Sequence, residues 1–183
     1  MNYIDEIHSY EPQGEQEEGD LKTICQVLES MDIRTRENPL IHLTSSAFVL
    51  NPEKTKTLMV YHNIYNSWSW PGGHGDGMED MLEVAVKELK EETGIEECRI
   101  LSKKAWAVDI ITVKNHIRRG VFVSAHLHLN FAYLIEVSEE EVLKVKEDEN
   151  KAVGWIPIEE IEDYVSEDHM MPIYKKIIRR LDK

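Results

Sequence analysis

One stretch, residues 73–95, constrains this chain more than any other. It reads Gly73-His-Gly-Asp-Gly-Met-Glu79, then seven residues, then Lys87-Glu88-Leu89-Lys90-Glu91-Glu92-Thr93-Gly94-Ile95. At about 100° per residue, Glu88, Glu91 and Glu92 share an arc of roughly 100° on one helix face. Leu82, Ala85, Val86 and Leu89 form a separate apolar stripe, expected to pack on a sheet. Three carboxylates on one face repel one another unless a cation sits among them. Hard oxygen donors suit Mg²⁺ or Mn²⁺, ions that serve phosphate chemistry. Upstream, Gly72, Gly73, Gly75 and Gly77 permit a tight loop and a close approach of backbone to ligand. A merely solvated acidic face would explain Glu83 and Lys87, an i,i+4 pair. It does not explain the Trp-Pro-Gly-Gly entry, the Thr-Gly exit and the glutamate spacing together.

The rest of the chain bounds the class. At 183 residues, 42% of them hydrophobic, it is expected to form one soluble domain with a proper core. A net charge of −14 with no basic stripe argues against duplex nucleic acid as partner. A small phosphorylated substrate is compatible, because bound divalent ions invert the local charge. Cys25 and Cys98 form no metal motif and read as buried or partly buried free thiols in a reducing cytosol. No basic-then-apolar leader and no membrane-length apolar run are seen, so a cytoplasmic location, away from membranes, is expected.

Residues 14–31 turn amphipathic through Leu21, Ile24, Cys25 and Leu28, which predicts an N-terminal helix. Residues 42–50 and 58–61 read as strands around an Asn51-Pro52 turn, and residues 68–70 as a short strand. The glutamate helix is expected over 78–92, with Gly94 as its stop. Two long strands are expected over 98–113 and 122–137, with a basic loop over 114–120 between them. A short helix over 139–146, a strand over 152–156 and a closing helix over 166–182 follow. This order gives an α/β fold, a mixed sheet flanked by helices. The expected organisation is one domain over 1–183: a helical extension over 1–40, a core over 41–165 and a C-terminal helix over 166–183.

The stretch from Gly73 to Ile95 resembles the Nudix box: Gly, five residues, Glu, seven residues, then Arg-Glu-apolar-x-Glu-Glu-x-Gly-apolar. Eight residues match at fixed spacing over 23 positions, and Lys87 replaces the usual Arg. More weakly, residues 42–160 resemble bacterial Nudix hydrolases, in particular a subgroup of unassigned substrate with a Pro-Gly-Gly-His loop and a His-Leu-His strand. The resemblance implies an α/β/α sandwich. It also implies Glu91, Glu92 and the Gly72 carbonyl as metal ligands, Glu88 as a further ligand or a base, and Glu79 bracing the loop against residue 87. An ammonium at Lys87 cannot make the forked contact of a guanidinium.

Beyond the box, Ser124, His126, His128 and Asn130 alternate with apolar residues and share one strand face. A half-exposed strand would look the same; two histidines on one face favour substrate contact, with metal ligation the lesser alternative. Arg118 and Arg119, in the basic loop, are candidates for substrate phosphates, or else belong to an ordinary surface hairpin. His74 in the loop and one of Trp70, Trp68 and Tyr65 are further candidates to meet substrate, core packing being the competing role. Some family members place a catalytic carboxylate in the loop before the last strand, which here implies Glu149.

The expected activity is Mg²⁺-dependent hydrolysis of a diphosphate bond in a nucleoside diphosphate-linked small molecule, by a monomer or homodimer. Glu88, Glu91 and Glu149 are the candidate catalytic residues. One alternative is an isoprenoid diphosphate isomerase, which uses a cysteine in the loop before the helix; this loop has none. Another is a non-catalytic nucleotide-sensing module, which typically loses box glutamates; this chain keeps them.

Overall fold

The computed structural model describes residues 1–118 and 120–181. Its helices are α1 (Tyr3–Ser9), α2 (Glu15–Ser30), α3 (Met81–Thr93), α4 (Ile161–Tyr164) and α5 (Met171–Arg179). The strands are β1 (Ile41–Leu50), β2 (Lys56–His62), β3 (Ser67–Ser69), β4 (Gly72–His74), β5 (Arg99–Ile100), β6 (Ala107–Val113), β7 (His116–Arg118), β8 (Val121–Val123), β9 (His126–Glu136) and β10 (Asn150–Pro157). Among the described residues one mixed sheet has the path β10-β2-β1-β9-β5. In addition β3 pairs with β2, β4 with β1 and β6 with β9, while β7 and β8 form a separate hairpin.

Its centre is β1, buried at all ten positions. It runs parallel to β9 from Ile41 opposite Leu127 to Leu50 opposite Glu136. Alternation sorts the side chains into two layers. Leu43, Ala47 and Val49 join Leu129, Phe131, Tyr133 and Ile135 in a core beneath α1, α2 and α3. Phe48 and Leu50 join Ala132 and Leu134 beneath α4 and α5. The fold is thus the expected α/β/α sandwich. The N-terminal segment belongs to it, since Tyr3, Ile7, Ile24 and Ile33 lie in the first core.

The glutamate helix begins at Met81 rather than Met78. Gly77 takes a left-handed φ of 94°, and the Asp80 side chain caps the helix by accepting from the Leu82 and Glu83 amides. It ends at Gly94, whose φ of 73° closes a left-handed cap. Its buried apolar face is Met81, Val84, Ala85 and Leu89; Leu82 and Val86, expected on that face, are half-buried at its margin.

Other expectations are corrected by long-range contacts. The strand over 98–113 splits in two: the Leu101 amide bonds the Leu134 carbonyl and the Trp106 amide the Ala132 carbonyl. Residues 102–105 loop out between them around a Ser102–Lys104 turn. The strand over 122–137 is likewise interrupted at 124–125, and the expected basic loop is the β7–β8 hairpin. Residues 139–146 form no helix, because the Lys144 amide is held by the Thr93 carbonyl and the Glu141 carboxylate by the Glu96 amide. The closing helix is shorter than expected, and α1 was not foreseen. Cys25 is exposed rather than buried, and Cys98 half-buried; both are free.

At the β6 edge the two helical layers are joined by a buried ionic cluster. Lys176 of α5 pairs with Asp109 of β6 and with Glu17 of α2 at 2.9 Å. Arg180 reaches the other Glu17 oxygen at 2.8 Å, and Gln16 bonds both Asp109 and Lys176 at 3.0 Å. Two cations face two anions whose side chains are fully buried, so the charges balance. Removing one cation strands a carboxylate without water. Lys176→Ala is therefore expected to lower stability by about 3–5 kcal/mol. Lys176→Ala paired with Asp109→Leu should recover part of this; chemical denaturation of both variants checks it.

Candidate active site

On the α5 side of the sheet, the faces of β1 and β9 change character along their length. Towards their C-terminal ends they present Phe48, Leu50, Ala132 and Leu134. Towards their N-terminal ends the same faces present His42, Thr44 and Ser46 beside His126, His128 and Asn130. The polar half floors a cleft of about 880 Å³, also bordered by Gly72, Gly73 and His74 of β4, by Glu88, Glu91 and Glu92 of α3, by Glu149 and by Arg118. One concave site thus gathers residues from four strands, one helix and a loop.

The glycine loop and the glutamates are in direct contact. A side chain at Gly73 would put its Cβ 2.5 Å from the Glu88 carboxyl carbon, and one at Gly72 would meet Ser46 Oγ at 2.6 Å. Gly72 admits no side chain, because its Cβ would also meet the Ser45 carbonyl and Ser46 Cα, whereas a side chain at Gly73 would displace the Glu88 carboxylate. The Gly72 amide donates to Glu92 Oε2 at 3.0 Å, and Asn150 donates to Glu92 Oε1 at 3.3 Å. Glu92 is buried, and desolvation pushes its carboxyl up to about 7 against those two hydrogen bonds. Glu88 has its side chain 13% exposed and Glu91 45%.

Two lysines stand among these acids. Lys87 Nζ lies 3.0 Å from Glu88 and 3.6 Å from Glu91. Lys146 Nζ lies 2.8 Å from Glu149 and 3.9 Å from Glu91. The expected Glu79–Lys87 brace is therefore not made. The Glu79 side chain is exposed, and its backbone carbonyl accepts from the Tyr3 amide. Helical spacing explains this: Lys87 is adjacent to Glu88 and four before Glu91, on the face that carries the carboxylates. The carboxylates, the cradle that a Cβ at Gly73 would fill and the all-oxygen donor set fit a hard divalent cation.

The same cleft is lined by a cluster of imidazoles. His42 stacks on His126 with centroids 4.9 Å apart and lies 5.0 Å from both His74 and His128. Burial holds His74 and His128 neutral, pushing both down to about 2, and lowers His42 as well. Below them Asn130 Oδ1 accepts from Thr44 at 3.0 Å and Ser46 at 2.9 Å, and its buried Nδ2 has no protein partner. Ser124 is exposed and lies outside the strand, although it borders the same cleft.

Arg118, at the end of β7, borders the cleft with His116; Arg119 lies outside the described residues. Of the aromatic candidates, Trp70 is 7% exposed and set edge-on against Tyr174 at 5.0 Å, so its ring is committed to the second core. Trp68 packs edge-on against Tyr61 and Tyr164. Trp70 still borders the cleft, as does Tyr65, which lies 4.4 Å from His62, another cleft residue. Alternation on β2 could have raised His62 as a candidate, but nothing local aims it here.

Contact between Gly73 and Glu88 makes a sharp test. Gly73→Ala should leave the fold intact, because its φ is not left-handed, yet push the Glu88 carboxylate aside. An expected loss of turnover of at least about 100-fold with an unchanged circular dichroism spectrum checks this.

The comparisons with known proteins agree with this geometry. A family model described as NUDIX domain matches residues 40–181. A protein of Lactococcus lactis subsp. cremoris described as a probable DHNTP pyrophosphohydrolase is 30% identical over 120 residues, covering 64% of this chain and 69% of the relative. Among solved structures, the C. elegans Ap4A hydrolase binary complex superposes with a TM-score of 0.58 at 16% identity, over 76% of this chain and 97% of that one. The NUDIX domain of Shewanella oneidensis NrtR, complexed with ADP ribose, gives a TM-score of 0.54 at 15% identity over 99% of both chains. At these identities the two structures attest a shared fold. With the family model spanning most of the chain and the glutamate helix set against its glycine loop, this chain belongs to the Nudix hydrolase family.

Proposed function

We propose that the protein is a Mg²⁺-dependent hydrolase of a diphosphate bond in a nucleoside diphosphate-linked small molecule. The observation that carries this reading is the convergence of Glu88, Glu91, Glu92 and Glu149 with the Gly72-Gly73 turn on one cleft. Glu88, Glu91, Glu92 and the Gly72 carbonyl would hold Mg²⁺, or Mn²⁺ in its place. When bound, the ion neutralises phosphate oxygens and stabilises charge developing in the transition state.

The remaining roles fall to the chain's own groups. Glu92, each of whose oxygens accepts one hydrogen bond, from Gly72 or Asn150, and keeps a second lone pair, also fixes the loop beside the helix. Glu149 approaches from the loop before β10, independent of α3, and serves as the base that takes a proton from attacking water. Lys146 at 2.8 Å holds its carboxylate in place. Arg118 meets substrate phosphates. His74, His126 and His128 face the group beyond them, Tyr65 offers a stacking surface, and Trp70 supports the floor.

Other readings fit less well. Neither Cys25 nor Cys98 borders the cleft, which disfavours isomerase chemistry that uses a cysteine. A purely sensing module would have no need of all the box glutamates beside a backbone cradle. The relative described as a pyrophosphohydrolase supports anhydride cleavage. No helix among the described residues is long and apolar enough to cross a membrane. A cytosolic setting suits the free thiols, and the chain acts as a monomer or homodimer.

The test is a panel of nucleoside diphosphate sugars, dinucleoside polyphosphates and nucleoside triphosphates, assayed with Mg²⁺ titrated. Glu91→Gln should raise the Mg²⁺ concentration needed for half-maximal rate. Glu149→Gln should leave that concentration unchanged and lower kcat by about 10²–10⁴-fold. Cleavage of no panel member by the wild type, or wild-type kinetics in both variants, would refute the assignment.

A further inference from the structure

The imidazole wall has a property that the hydrolase reading does not use. His74 of β4, His42 of β1 and His128 of β9 come from three adjacent strands. Parallel register sets His42 directly opposite His128, and antiparallel register sets His74 opposite Thr44, two residues along. One ring nitrogen from each of the three lies within 4.8 Å of the other two. Around a tetrahedral Zn²⁺ with Zn–N bonds of 2.0–2.1 Å, ligand nitrogens stand about 3.4 Å apart. Modest side-chain rotation closes that gap.

The hydrogen bonds fix which nitrogen is offered. His42 Nδ1 lies 3.1 Å from the Asn38 carbonyl, which can only accept, so Nδ1 carries the proton and Nε2 the lone pair. That Nε2 is buried and has no hydrogen-bond partner. At His126 the Nδ1 likewise donates to the Ser124 carbonyl at 2.9 Å, leaving an Nε2 lone pair that accepts from His128 Nε2 at 3.2 Å, where a metal ion would replace the shared proton. A carbonyl behind one ring nitrogen and a bare lone pair on the other is the arrangement that orients histidine as a metal ligand. The 3.2 Å spacing also matches one edge of a tetrahedron of imidazole nitrogens about a metal.

We propose that His42, His74 and His128, with His126 in reach of the next coordination position, bind a borderline divalent transition-metal ion of the Zn²⁺ class at a site separate from the carboxylates. Imidazole nitrogen selects Zn²⁺, Co²⁺ or Ni²⁺, whereas carboxylate oxygen selects Mg²⁺, so one cleft holds two sites of different preference. Strand β4 joins them: Gly72 and Gly73 touch Glu92 and Glu88, and His74 follows directly. Substrate contact assigned to these histidines would then pass through the ion, as an added fifth ligand or in place of His126. The proposal does not rest on the hydrolase reading, since it requires only the histidine geometry.

The experiment is a titration of the purified, chelator-stripped full chain with Zn²⁺ alone, in excess Mg²⁺. The expected result is one tightly bound equivalent that Mg²⁺ does not displace, and a Zn K-edge spectrum dominated by imidazole scattering. His74→Ala and His128→Ala, shown folded by circular dichroism, should each weaken binding by at least about 100-fold, more than loss of an outer partner costs. Glu91→Gln should leave Zn²⁺ binding unchanged. Absence of a stoichiometric Zn²⁺ in the wild type, or a spectrum of oxygen ligands only, overturns the proposal. So does unchanged binding in both histidine variants, or loss of binding in Glu91→Gln. The wild-type titration and spectrum decide the matter even if a histidine variant fails to fold.

Discussion

Parallel pairing of β1 with β9 is the constraint on which everything else hangs. Ten consecutive residue pairs fix the register, and β1 is buried along its whole length. A slip of one residue would turn Leu43, Ala47 and Val49 away from the helices they pack on. It would also turn His42, Thr44 and Ser46 out of the cleft. The register that buries the core is therefore the register that assembles the site. Parallel strands cannot be joined by a tight turn. The long connection between them carries β2, β3, β4, α3, β5, β6 and the β7–β8 hairpin, most of the cleft's walls.

Within that frame Gly72 lies against the backbone of β1 at a distance that leaves no room for a side chain, and Gly73 lies against the Glu88 carboxylate of the helix. Gly72 and Gly73 bring backbone against Glu92 and Glu88. The hydroxyl of Ser45 on β1 donates to the Met81 carbonyl at 2.6 Å and ties the start of the helix to the same strand. Glu92 is thus held in part by backbone, while Glu88, Glu91 and Glu149 are held by lysine side chains. The N-terminal segment adds to this: Met1 pairs with the capping Asp80, and Glu6 accepts from the Tyr133 hydroxyl and the Ala105 amide, both at 2.6 Å.

Electrostatics divide the cleft. A chain of net charge −14 places Lys87 and Lys146 among the cleft's carboxylates and Arg118 elsewhere on the cleft's border. Lysine suits the first role, being a compact charge on a flexible stem that can leave the carboxylates when a stronger cation arrives. Arginine offers the second position a forked donor, as the proposed phosphate contact requires. The imidazoles, of which burial keeps His74 and His128 neutral, line another part of the cleft with borderline nitrogen donors, different in kind from the carboxylate oxygens.

What the sequence by itself determined is local. Glutamate spacing placed Glu88, Glu91 and Glu92 on α3, Gly94 marked its end, and the glycines marked the close approach, because helical period and glycine geometry act within a few residues. Alternation put His126, His128 and Asn130 on one face for the same reason. The limits of this reading are equally physical. Periodicity names a face but not its neighbour, so it could not show that His42 and His74 stand beside His128. Nor could it show that Trp70 packs edge-on against Tyr174 at the border of the cleft, or that Lys87 chooses Glu88 over Glu79. The Lys176–Asp109–Glu17–Arg180 cluster joins residues up to 163 positions apart. Those choices were made by strand pairing and burial, which act across the whole chain and leave no signature at any one position in it.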